Sequence, residues 1–417
     1  MKDKLSIFSM FFVIFTMIFI LLIPKIIDKR GHNSEKAEEK IKEKESINDF
    51  STNIIKIVNN NEDSNYLISP YSIEIALNML KLGASNNTLR EINNAVPNRN
   101  ISDIRNDKVK VANAIFVKDV YKNYIEKNFY DNLKKMYDSE ILFDEFKTPL
   151  IINNWVKNHT DNMIEKILEE MSEDFVLGIS NAIAIDVNWL NEFECINTIS
   201  APFTKSDKTT IRVEMMNKTY TNSESKYFEF DDVKGVVIPY ENDLEFVGIL
   251  PYNIDKYINN LNINNLKEID NKLISSSNEN RLLLSLPRFS YSFDLKSFKE
   301  VLNVLGINDA FNGKADFTKI MSKESMSKLG IDNLYISDAI HKTYIDLNEK
   351  GTKAAAVTYF GMFKNSIARE DYNIKKIEFN KPFIYMIRDS KNKEILFFGV
   401  VKEPNIWKGS TCSNNNR

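Results

Sequence analysis

Side chains able to carry covalent or acid–base chemistry are scarce in this 417-residue chain. The histidines are His32, His159 and His341, and the cysteines are Cys195 and Cys412. Without an H-E-x-x-H pair or clustered cysteines, neither that zinc motif, a cysteine zinc site nor a disulfide scaffold can be assembled. No two glycines lie closer than seven residues, which excludes the G-x-G-x-x-G and G-x-x-x-x-G-K phosphate cradles. A Ser/His hydrolase remains as a catalytic alternative, but a local triad is disfavoured. In the strand-like LYISDAIHKTYIDL, Asp338 and Asp346 stand at odd spacings from His341 and so on the opposite face. Lys and Arg number 55 against 58 Asp and Glu, a net charge of -3, so no excess of positive charge exists to meet nucleic-acid phosphates. No cofactor or metal is implied.

Leu5 to Ile23 carries no charge. As a helix at about 1.5 Å per residue it reaches roughly 28 Å, close to the hydrocarbon thickness of a membrane. Residues 1–30 are therefore expected as an uncleaved signal-anchor, with a cleaved signal peptide as the alternative. Residues 31–47, dense in Glu and Lys, are a charged spacer. No compositional break follows, so residues 48–404 read as one domain and 405–417 as a disordered tail.

That domain mixes helices and strands. Ser69-Pro70 caps and opens a helix whose face carries Ile73, Ala76, Leu77 and Leu80. Pro149 opens another, aligning Ile152, Trp155, Val156, Met163 and Ile167, with His159 packed on the same face. RLLLSLPRF from Arg281 reads as extended, and FIYMIRD–SKNK–EILFFGVV from Phe383 reads as a hairpin with a buried second strand. Cys195 and Cys412 are expected to be unpaired. N-x-[ST] matches at Asn86, Asn100, Asn158 and Asn217 are what chance provides in so asparagine-rich a chain.

The stretch from Gly351 to Glu378 is too long for an ordinary connection. Its first half is strand-like, and period two puts Thr352, Ala354, Ala356, Thr358, Phe360 and Met362 on one face. The first four are small, so they could slot into an existing sheet at low steric cost. This is a latent strand held on a long connection.

EKGTKAAAVT (Glu349 to Thr358) resembles the reactive-loop hinge of inhibitory serpins, with Glu349, Lys350, Gly351, Thr352, Ala354, Ala355, Ala356 and Thr358 at the matching positions. NYLISPYSIEIALNMLKLGA from Asn65, INNWVKNHTDNMIEKIL from Ile152, LSLPRFSYSFDLKSFKEVLNVLGINDAF with ADFTKI, and FNKPFIYMIRDSKNKEILFFGVVKEP resemble further serpin segments in family order. The resemblance implies an α+β fold: a large, mainly antiparallel central sheet, additional sheets, about eight or nine helices and an exposed reactive loop near residues 350–378. It also implies a suicide-type protease inhibitor and not an enzyme. A target protease of the serine class, with the cysteine class also open, cleaves the loop; the freed strand then inserts and traps the acyl-enzyme.

Ser69, Ser72, Asn181 and His341 match the polar cluster at which the serpin sheet opens, and Trp189 matches the tryptophan where the loop enters. NAIAIDVNWL departs from the family by lacking the aromatic and the K-G-K that commonly precede that tryptophan. Counting sixteen positions from Glu349 puts the reactive bond at Asn365-Ser366, with Phe363, Lys364 and Arg369 as alternatives. The implied partner is a protease, the protein is expected to be a monomer, and the site is expected outside the cell, secreted or tethered through residues 5–23. A non-inhibitory binding protein or chaperone on the same fold is the second reading.

Overall fold

The computed structural model describes residues 49–98, 109–352 and 373–408, except 222, 224, 278, 279 and 338. The apolar segment 5–23, the spacer, Asp338 and the loop candidates Phe363, Lys364, Asn365, Ser366 and Arg369 lie outside them. No helix among the described residues is long and apolar enough to cross a membrane.

Strands are numbered in chain order. A seven-stranded sheet runs β1 (Tyr66–Ile68), β18 (Ile395–Val401), β17 (Phe383–Asp389), β10 (Leu244–Pro251), β9 (Val233–Pro239), β8 (Lys226–Phe230), β11 (Ile274–Ser275). Every residue of β10 and β18 is buried, as their continuous apolar runs require of strands covered on both faces. The expected β17–β18 hairpin is antiparallel, with Phe383 opposite Val401. A four-stranded sheet runs β16 (Asn373–Glu378), β12 (Asn280–Pro287), β7 (Thr210–Tyr220), β6 (Thr198–Thr204).

The central sheet comes in two parts. One holds β3 (Glu140–Asp144), β2 (Val109–Lys118) and β4 (Leu177–Ile185). The other holds β13 (Phe289–Asp294), β14 (Lys342–Leu347), β15 (Gly351–Thr352) and β5 (Val187–Asn188). Only Asp186 separates β4 from β5, so the parts are one sheet divided along the line between β4 and β14. Helix α2 (Pro70–Lys81) packs against both β4 and β18, between the two sheets. The Ser69 hydroxyl accepts the Ser72 N–H at 3.1 Å, the expected cap.

Three expectations change. The helix opened by Pro149, here Leu150–His159, stops before Met163 and Ile167, because Asp161 and Asn162 take left-handed backbone conformations. His159 stacks on Trp155 with ring centroids 4.3 Å apart, and its Nε2 lies 3.0 Å from Glu140 on β3. The long connection after Thr352 is shorter than it reads, since 373–378 form β16, parallel to β12. Its NIKKIE is an edge strand too charged to show alternation. Finally, 405–407 are held: Asn405 accepts the Ser290 N–H at 2.8 Å, Ile406 bridges Val213, and the Trp407 N–H donates to the Arg212 carbonyl at 2.8 Å. These residues extend the line of β12 along β7 past Pro287.

Candidate functional site

The site is the gap between β4 and β14 and the hinge seated at its upper end. After β14 the chain reverses through Asn348, whose N–H donates to the Gly351 carbonyl at 2.9 Å, and returns as β15. Thr352 pairs with Leu347 on β14 and with Val187 on β5, both antiparallel. Two residues of the hinge therefore already serve as a strand of the central sheet. Glycine is required at the first: a Cβ on Gly351 would meet the Val187 carbonyl oxygen at 2.1 Å. Thr352 is buried, and its hydroxyl lies 2.7 Å from that of Tyr240.

Trp189 anchors this end. It is 1% exposed, stacks on Tyr240 at 4.2 Å, and donates its indole N–H to the Asn348 carbonyl at 2.9 Å. Its backbone N–H bonds the Lys350 carbonyl at 2.7 Å, and that of Phe193 bonds the Glu349 carbonyl at 2.8 Å. The missing K-G-K thus leaves the hinge fully bonded to this turn. The Glu349 carboxylate is buried, accepting the Arg288 Nε–H at 2.6 Å and the Thr198 hydroxyl. Arg288 also reaches Glu214 at 3.2 Å, a charge-assisted tie between hinge and β7.

Below Thr352 no ladder joins β4 to β14 among the described residues. A small hollow lies there, lined by Ile183, Ile185, Tyr344, Ile345 and Thr352. A second follows, lined by Ser72, Asn181, His341 and Thr343. The gap is held at this depth by polar bonds instead of a ladder. The Ser69 N–H donates to His341 Nε2 at 3.1 Å, the Ser72 hydroxyl donates to Asn181 Oδ1, and the Asn181 amide donates to Asn113 on β2 at 2.7 Å. The start of α2 is thereby a bridge between the two halves of the sheet.

Burial pushes the His341 pKa down to about 4, so the ring is neutral at physiological pH and Nε2 is an acceptor. That nitrogen takes a backbone N–H and not a serine hydroxyl, which argues against the hydrolase reading. Linkage gives the sign of the pH effect. Between about pH 6.5 and 4 the unfolded chain binds a proton that the folded one refuses, so stability falls as pH drops through that window. The loss expected from this group is about 3 kcal/mol. Urea melts at pH 7 and pH 4.5 are expected to show a smaller acid penalty in His341→Gln than in wild type; equal penalties would remove His341 from this role.

Arg288, Glu214, Thr198, Asn113 and Tyr240 are site residues that sequence reasoning missed. Arg288 lay within LSLPRF, but nothing local marks its carboxylate partners. Ala354, Ala355, Ala356 and Thr358 fall outside the described residues. Cys195 is corrected: it is disulfide-bonded, with its sulfur 4.0 Å from Arg288. The other cysteine of the chain, Cys412, lies outside the described residues.

A divided central sheet with a seated hinge defines a class of protein built to accept another strand. In agreement, the profile of the Serpin (serine protease inhibitor) family matches residues 45–404. The chain belongs to the serpin family. It is 28% identical to neuroserpin of Gallus gallus over 400 residues, covering 88% of this chain and 93% of that protein. The crystal structure of the thermophilic serpin tengpin in the native state superposes with a TM-score of 0.72 at 31% identity, covering 86% of this chain and 94% of that one. Thyroxine-binding globulin complexed with thyroxine also gives 0.72, over 87% of this chain and 100% of that one, but at 22% identity the likeness carries the fold alone. At the level of the family the activity is protease inhibition and the partners are proteases, though some serpins are not inhibitors.

Proposed function

We propose that this chain is a suicide-type inhibitor of serine proteases, with cysteine proteases as a second target class. A protease cleaves the loop between β15 and β16, and the residues after Thr352 then enter the gap as a new strand while the acyl-enzyme is still intact. The observation that carries this reading is the seating of Gly351–Thr352 between β5 and β14 above an open gap. Continuing that register puts Ala354 between Ile345 and Ile185, Ala356 between Thr343 and Ile183, and Thr358 between His341 and Asn181. These small side chains suit the buried face. A threonine at the polar bridge supplies a hydroxyl where the Ser72–Asn181 link must give way.

Asn365-Ser366 is the proposed reactive bond, with Lys364, Phe363 and Arg369 as the other candidates. Leu5 to Ile23 is proposed to direct the domain outside the cell, as an anchor or a cleaved signal. The test is incubation with trypsin-, chymotrypsin- and subtilisin-like enzymes, followed by denaturing gels and sequencing of the released fragment. A denaturant-stable complex is expected, and the new N-terminus identifies the bond. Clean cleavage without a complex across the panel would instead favour a non-inhibitory binding protein.

A further inference from the structure

The register of the seated hinge identifies what the next inserting residue will meet. Since Thr352 lies opposite Leu347 and Val187, the row one step deeper has Asp346 on β14 and Asp186 on the other side. Both carboxylates belong to the outward face, because their neighbours Ile345, Leu347, Ile185 and Val187 are all buried. Neither makes an ion pair with any described cation. The nearby guanidinium of Arg288 is held by Glu349 and Glu214. Burial raises the Asp346 pKa, against the smaller opposing effects of an Asn348 hydrogen bond and the Arg288 charge. The deeper rows, Ile345/Ile185, Tyr344/Ala184, Thr343/Ile183, Lys342/Ala182 and His341/Asn181, contain no second carboxylate. The residue that follows Thr352 in the chain is Lys353.

We propose that Asp186 and Asp346 form an acidic clasp that receives the Lys353 ammonium in the first step of loop insertion. The occupant of this end of the gap is thus the segment 353–358 of the same chain, selected by charge as well as by size. The inference rests on the insertion reading above and adds a residue that sets its rate. An ammonium between two half-buried carboxylates adds an ion pair that neither makes with a described cation, beyond the Asn348 hydrogen bond and the Arg288 charge that Asp346 already feels. Insertion should therefore weaken with salt in a way that an apolar zip would not.

The test uses the full chain in mild detergent, cleaved in the loop by subtilisin, with the appearance of the heat-stable form followed over time. Lys353→Glu is expected to slow that conversion about tenfold, and Lys353→Gln two- to fivefold. In wild type the rate should fall as sodium chloride rises from about 0.05 to 0.5 M, and in Lys353→Gln this dependence should flatten. Asp346→Lys combined with Lys353→Asp should recover part of the lost rate. Melting of the uncleaved variants controls for misfolding. If wild type converts but Lys353→Glu converts equally fast with the same salt dependence, the clasp is wrong and insertion stands. If cleaved wild type never gains stability, the insertion reading fails and the clasp with it.

Discussion

Thr352→Arg is expected to turn the inhibitor into a substrate. Thr352 is 5% exposed, its hydroxyl meets Tyr240, and the Trp189–Tyr240 stack closes the space around it. A guanidinium there would be buried without a partner, at a cost of several kcal/mol. The variant should escape that cost by leaving the seat, which raises the barrier to insertion. Each 1.4 kcal/mol slows insertion about tenfold, so hydrolysis of the acyl-enzyme should overtake trapping. The measurement is the fraction of protease captured in denaturant-stable complex: near complete for wild type, a few per cent or less for Thr352→Arg, with cleaved inhibitor accumulating. Thr352→Ser, which keeps the hydroxyl, should trap normally. Capture by the arginine variant at the wild-type level would mean that Thr352 does not lead the inserting face.

Cleavage of the loop is expected to make the protein more stable, the reverse of what a nick does to most domains. β4 spans Leu177–Ile185 and β14 spans Lys342–Leu347, and among the described residues no strand pairs with either across the gap below Thr352. An added strand would form on the order of ten ladder hydrogen bonds, each worth about 1 kcal/mol net. It would also replace the two hollows with packed side chains. Unfolding entropy of about 2 cal/mol/K per residue converts such a gain into a rise in Tm of about 10–15 °C for a domain of this length. Scanning calorimetry before and after limited subtilisin digestion measures it directly. An unchanged or lower Tm would show that the gap does not accept the freed strand.

Much of the site was legible locally. The Ser69-Pro70 start of α2, the β17–β18 hairpin and the extended, buried Thr352 are set by capping, turn chemistry and period two, which act within a few residues. The bonds that give those residues their work join positions far apart: Ser69 with His341, Asn181 with Asn113, Glu349 with Arg288. The misread helix end illustrates the same limit. Met163 and Ile167 continue the helical period of Trp155 and Val156, yet the left-handed turn at Asp161 and Asn162 sends them to the two hollows along the gap, where both are partly buried. Cys195 misled for a related reason, because pairing depends on distance in space and not on spacing in the chain.

By itself the sequence determined that little catalytic equipment is present and that small residues recur at period two from Thr352 to Thr358. Periodicity is enough for this, since it depends only on each residue's own backbone. The tertiary structure decided that Gly351 and Thr352 are already seated and that the gap beneath them is held by side-chain bonds through α2. Strand partners are non-local, and a register is fixed only when the sheet closes around it.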